Sequence, residues 1–95
     1  MSLGLLTLNI QLPGCSSLKE KRSRLKPLLA RLHREFNTST AELDYQDTWQ
    51  QAVIGCALVS NDPAHTRRAL QQVTRWVENY WPDVTLLDDR LEIII

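Results

Sequence analysis

Seven of the eleven cationic side chains of this 95-residue chain fall between Lys19 and Arg34, and Glu20 is the single carboxylate among them. That stretch carries a net charge of +6, and the remaining residues, with four cations and ten carboxylates, carry −6. Positive charge segregated in this way raises a local potential that attracts polyanions. The plainer account of any such run is a solvated helix face rich in lysine and arginine. At helical spacing Lys19, Arg22 and Lys26 share one side, with Arg34 near it. These four are the side chains expected to meet phosphates. Upstream, Gly14-Cys15-Ser16-Ser17 leads into the helix, so the backbone around Ser16 and Ser17 is expected to offer N–H groups to one phosphate beside Lys19. The glycine-rich nucleotide loop ending in Gly-Lys is absent.

Other groups carry weaker signals. Glu42, Asp44 and Asp47 place carboxylates close together, and on a strand Glu42 and Asp44 stand roughly 7 Å apart. A divalent cation takes two or three such oxygens, but a solvated sheet face or pairing with Arg90 accounts for them more simply. No metal and no cofactor is expected. Trp49, in a polar connection, suits loop packing, base stacking or a protein contact; with Glu42, Asp44 and Asp47 it makes a second set of candidate interaction residues. His33 and His65 have no ligand at metal spacing. Cys15 and Cys56 are far apart and form no C-x-x-C pair. Cys56 reads as a core residue. Cys15 precedes a helix start where a thiolate is favoured, yet no base stands near it in sequence. No catalytic residue is assigned, and the chain is not expected to be an enzyme.

These residues need elements to position them. Leu3 to Leu12 alternates, with Gly4, Leu6, Leu8, Ile10 and Leu12 on one face, which is the pattern of a half-buried strand. Pro13-Gly14 ends it. Ser17 and Glu20 have capping-box spacing, with Glu20 expected to reach back to residue 17. Leu18, Leu25, Leu28, Leu29, Leu32 and Phe36 then form an apolar helical stripe, and Pro27 predicts a kink near residues 23–27. Thr40 to Tyr45 alternates again, with Ala41, Leu43 and Tyr45 expected inward and Thr40, Glu42 and Asp44 outward. Ala52 to Ser60 is a nearly continuous apolar run that suits a central strand, where Gly55 is expected to mark a close approach by a helix or another backbone. Asp62-Pro63 starts a second helix, which Pro82 stops after Tyr80. Val84 to Ile95 is the last strand, with Leu87, Leu91, Ile93 and Ile95 on one face and Arg90 and Glu92 on the other.

The order is βαββαβ within one domain, residues 1–95. Right-handed crossovers make a ferredoxin-like α+β sandwich the economical solution: a four-stranded antiparallel sheet of order 4-1-3-2 with both helices on one face. The open face is then expected to carry Thr7, Asn9, Gln11, Thr40, Glu42, Asp44, Arg90 and Glu92. Apolar content of 43% and charged content of 23% are ordinary for a globular domain. The first fourteen residues include Asn9, Gln11 and Pro13 and have no basic start. They are expected to be neither a signal peptide nor a membrane span, and a cytoplasmic location follows as the default. Acylphosphatases share this size and topology, but their phosphate loop does not match Pro13 to Ser17.

Ser17-Leu18-Lys19-Glu20-Lys21-Arg22, then Ala41-Glu42 with Asp44 and Gln46-Asp47, then Trp49-Gln50, Ile54-Gly55 and Val59-Ser60-Asn61-Asp62 resemble the YlxP-like family of small uncharacterised bacterial proteins. The resemblance spans nearly the whole chain. It implies a ferredoxin-like fold and a cytoplasmic bacterial protein, and it implies no activity. Members are often encoded among transcription-termination, translation-initiation and ribosome-maturation factors, which implies RNA or ribosome work by association only. The resemblance leads one to expect histidine in many relatives at the place where this chain has Tyr45.

The function expected from these readings is a non-catalytic RNA- or ribosome-associated binding module acting through the basic first helix. The alternatives are a dimerising protein-interaction adaptor and a small enzyme acting on a phosphorylated ligand. A homodimer through the open sheet face or an edge strand is expected, and no membrane partner. The central strands lack the paired aromatics that stack bases on the sheet of the common RNA-recognition motif.

Overall fold

A computed structural model describes all 95 residues. Six elements follow in the order β1 (Ser2–Gln11), α1 (Leu18–Phe36), β2 (Ser39–Asp44), β3 (Gln51–Ser60), α2 (Pro63–Tyr80) and β4 (Thr85–Ile93). The strands form one antiparallel sheet of order β2-β3-β1-β4. Leu6, Leu8 and Ile10 of β1 and Ala52, Ile54, Cys56 and Leu58 of β3 point to the same side. There they join Leu25, Leu28 and Leu32 of α1 and Leu70, Val73 and Val77 of α2 in a single buried cluster. Both helices therefore cover one face of the sheet, and the fold is the ferredoxin-like α+β sandwich. Within the cluster, burial pushes the Cys56 thiol pKa up to about 12. Cys15 is also fully buried, with its Sγ directed at the Ser17 carbonyl oxygen.

Local chemistry sets the helix ends. Ser17 caps α1 by accepting the Glu20 N–H at 3.0 Å. Asn37 ends it in a left-handed conformation, φ 53°. Asp62 caps α2 through the Ala64 N–H, with Pro63 at the first position. α1 runs through Pro27 without interruption.

The two edge strands differ from their sequence-based phase. In β2, Thr40 and Glu42 lie opposite Cys56 and Ile54 and so face the helices, while Ala41 and Leu43 face the open side. The cause is polar pairing beneath α1: the Thr40 hydroxyl donates to the Leu29 carbonyl at 3.1 Å, and Glu42 meets Lys21. Alternation alone cannot reveal such pairing. A register shift between Glu42 and Asp44 leaves Leu43 as the extra residue. Its side chain covers Gly55, where a Cβ would stand 2.5 Å from Leu43 Cδ1. The close approach at Gly55 is thus made by a side chain, not by a helix or a backbone. In β4 a second register shift makes Leu87 the extra residue, so Leu86, not Leu87, faces the core. Leu87 is exposed, and Asp89 on the helix side accepts a hydrogen bond from Thr74. Neither helix is long and apolar enough to cross a membrane.

Candidate nucleic-acid interface

The cations of α1 divide into two groups. Lys21, Arg24 and Arg31 are tied into the fold. Arg24 donates to the Asp83 carboxylate at 2.9 Å, to the Asp83 carbonyl at 2.7 Å and to the Pro13 carbonyl at 2.9 Å. It clips α1 to the loops that precede it and that follow α2. The hydrogen bond to Asp83 raises its already high pKa. Arg31 reaches Glu35 at 3.3 Å and lies over the Trp76 ring, 5.5 Å from its centroid. Lys19, Arg22, Lys26 and Arg34 are exposed, and none of them makes an ion pair. The structure thus leaves free the four side chains that the helical spacing placed on one flank.

The charge separation is wider than the α1 sequence alone shows. Helix α1 carries seven cations and two carboxylates, and α2 carries Arg67, Arg68 and Arg75 with Glu78 alone. The helices together hold +7. The strands and loops, with Arg90 as their one cation and eight carboxylates, hold −7. In a neutral protein the helices thereby carry net positive charge and the strands and loops net negative charge. Charges of one sign gathered on one layer reinforce each other's potential instead of cancelling it.

At the start of α1 the Ser16 N–H is not free for a phosphate. The Ser16 N–H donates to Glu20 Oε2 at 2.6 Å, and the Ser16 hydroxyl donates to the same oxygen at 3.1 Å. Glu20 therefore reaches residue 16, one residue further back than the capping box predicts. The Ser16 backbone hydrogen bond, reinforced by its hydroxyl, holds the Glu20 carboxyl below its usual pKa. The place a phosphate would take is filled by the chain's own anion.

Lys21 is the site residue that reading by charge missed. It is 1% exposed, and its ammonium lies 2.7 Å from Glu42 Oε2 while donating to the carbonyls of Tyr45 at 2.5 Å and Thr48 at 2.7 Å. A signal was present: Lys21 falls on the apolar stripe itself, between Leu18 and Leu25. The ammonium anchors the β2–β3 loop, in which Tyr45 holds a left-handed φ of 63°. The far end of that loop is fixed to the other side of α1's start, since Gln50 donates to the Cys15 carbonyl and accepts the Leu12 N–H. Between these ties Trp49 stands 50% exposed. Asp44 and Asp47 are exposed beside it, whereas Glu42 lies beneath α1, so the three carboxylates do not converge.

A shallow groove of about 310 Å³ runs between α1 and β2, lined by Arg22, Leu25, Lys26, Leu29 and Glu42. His33 and His65 are both exposed; His33 Nδ1 lies 2.7 Å from the Thr38 carbonyl, closing the turn into β2.

Fold and charged layers together define a small βαββαβ protein with an electropositive helix layer and an anchored hairpin loop. Residues 3–90 match the family described as protein of unknown function DUF503. Over 76 residues the chain is 41% identical to the uncharacterized protein YlxP of Bacillus subtilis (strain 168), covering 80% of this chain and 82% of that protein. The chain belongs to this YlxP-like DUF503 family.

Proposed function

We propose that this protein is a non-catalytic RNA-binding module of the bacterial cytoplasm that docks on structured RNA, such as ribosomal RNA, through α1. The observation that carries this reading is the helix layer of +7 with Lys19, Arg22, Lys26 and Arg34 exposed and unpaired on it. Such side chains contact phosphates, which gives affinity with little sequence preference. Of the carboxylates of the strands and loops, Asp88 and Glu92 stand on the open side of the sheet, where they oppose RNA and so favour contact through the helices. Neutralising about three phosphates gives a slope of log affinity against log salt on the order of −2 to −3.

The test is a gel-shift titration with ribosomal RNA fragments at about 50 mM salt, where phosphate contacts are strong. The Arg22→Glu, Lys26→Glu double variant spares Lys21 and leaves the core intact. It is expected to weaken binding to all the fragments alike and to flatten the salt slope, while its stability stays within about 1 kcal/mol of the unmodified chain. Equal binding by the double variant and the unmodified protein removes the helix-face reading.

A further inference from the structure

We infer that β2 and the groove beside it form a docking site for an extended acidic peptide, which adds to the sheet as a fifth strand. This goes beyond the RNA reading, because it uses the β2 backbone and Leu29, neither of which an RNA face on α1 requires.

The sheet ends in two unequal edges. β4 is guarded: it bulges at Leu87 and carries Asp88, Asp89 and Arg90 in an exposed row. Bulges and charges are the usual means of blocking strand addition. β2 lacks this protection over Ser39 to Glu42, where its pairing with β3 is regular. Its one charge there, Glu42, is turned under α1 and neutralised by Lys21. As the outermost strand it keeps one side of its backbone without a strand partner.

A strand added there would send alternate side chains toward the helix layer, beneath the outer flank of α1. That is where the groove lies. Leu25 and Leu29 supply an apolar contact, and Arg22 and Lys26 flank it with positive charge. The groove is pre-formed, because α1 is pinned over β2 by the Thr40 hydroxyl to the Leu29 carbonyl, by Lys21 to Glu42 and by His33 to the Thr38 carbonyl. A surface already fixed in place loses little entropy on binding. The complementary segment is an extended strand with an apolar side chain between two carboxylates on its helix-facing side. Main-chain hydrogen bonds supply affinity, and the alternating side chains supply selectivity. A second copy of this chain fits poorly. Its own β2 would present Thr40 and Glu42 to the groove and would bring a second Arg22 and Lys26 against the first pair. Because Arg22 and Lys26 are shared with the proposed RNA face, peptide and RNA would compete for them.

The test uses a capped six-residue peptide alternating glutamate, threonine, valine, threonine, glutamate and threonine, with a counterpart carrying lysine in place of glutamate. Binding is read by fluorescence polarisation, and β2 is read by amide hydrogen exchange. The glutamate peptide is expected to bind at least about tenfold more tightly than the lysine peptide, which corresponds to about 1.4 kcal/mol. It is also expected to slow exchange within residues 39–43. Leu29→Lys is expected to abolish peptide binding while leaving RNA gel shifts in place, since it adds positive charge but fills the groove. The exchange measurement on the unmodified protein stands whether or not that variant folds. Equal binding of the two peptides, or no slowing of exchange in β2, overturns the inference. So does protection of β2 that is present without peptide and vanishes on dilution, because a second copy then holds the edge. If RNA fails to bind and the peptide does bind, the RNA reading falls and this one stands.

Discussion

Replacing Lys21 with methionine tests whether the buried ammonium holds the β2–β3 loop. The substitution keeps most of the side-chain length and apolar stem but removes the charge. It leaves the Glu42 carboxylate, whose side chain is 22% exposed, without its partner, and it leaves the Tyr45 and Thr48 carbonyls without their donor. Breaking a buried pair from one side costs about 3–5 kcal/mol. Glu42 regains part of its hydration and the two carbonyls can turn to water, so the expected loss is about 2–4 kcal/mol. Against a total of about 5–14 kcal/mol for a domain of this length, that is a large share. Urea denaturation gives the loss, and amide exchange at residues 45–50 shows whether it is local. The loop is expected to exchange faster at low urea, because Tyr45 is freed from its left-handed backbone. Adding Glu42→Leu to Lys21→Met should recover at least half of the loss, since apolar replacement of a whole buried pair is often neutral. A loss below about 1 kcal/mol with loop exchange unchanged would show that the loop is held by something other than Lys21.

Two further substitutions probe the strand–helix contact and the helix start. Gly4→Ala places a Cβ 2.5 Å from Thr66 Cγ2 and 2.8 Å from Leu70 Cδ1, both on buried residues, so a loss of about 1–3 kcal/mol is expected in thermal denaturation. Glu20 has a folded-state pKa below its unfolded value, so its contribution is complete above about pH 4.3 and fades as pH falls through the lowered value. Glu20→Gln is therefore expected to be the less stable form at neutral pH and to lose its disadvantage as acidification passes through the lowered value; a difference that does not change with pH refutes the assignment.

The sequence is a good guide to this fold wherever one physical signal acts alone. β1 alternates cleanly because one side meets the helices and the other does not. β3 reads as central because even its open side is partly covered, Gly55 by Leu43. The helix starts at Ser17 and Asp62 are legible because capping depends on neighbours in sequence. The edge strands are misphased because competing long-range interactions decide their orientation. Thr40 and Glu42 look outward by polarity and turn inward because α1 supplies a carbonyl and an ammonium there. Leu87 looks inward by hydropathy and turns outward because a bulge inserts it. Glu20 shows the same limit on a smaller scale, since its spacing from Ser17 identifies a cap but does not fix which N–H the carboxylate takes.

The basic stretch in α1 is therefore two devices interleaved along one helix. Glu20 closes the helix start, Lys21 secures a loop, Arg24 joins the loop before α1 to the loop after α2 and Arg31 lies on an indole. What remains for a partner is Lys19, Arg22, Lys26 and Arg34. Counting charges along the stretch overstates the binding surface by the three cations that the fold consumes. Reversing the whole run would confuse loss of structure with loss of contact. The separation has a further consequence for partners. Lys21 and Arg24 neutralise Glu42 of β2 and Asp83 of the loop after α2, while Arg31 stays within the helices on Glu35 and Trp76. Of the free cations, Arg22 and Lys26 line the groove beside the β2 edge. A partner that reaches that edge from outside meets uncompensated positive charge at Arg22 and Lys26. The electrostatic preference there is for an anion, whether it arrives as a phosphate or as a carboxylate on a strand.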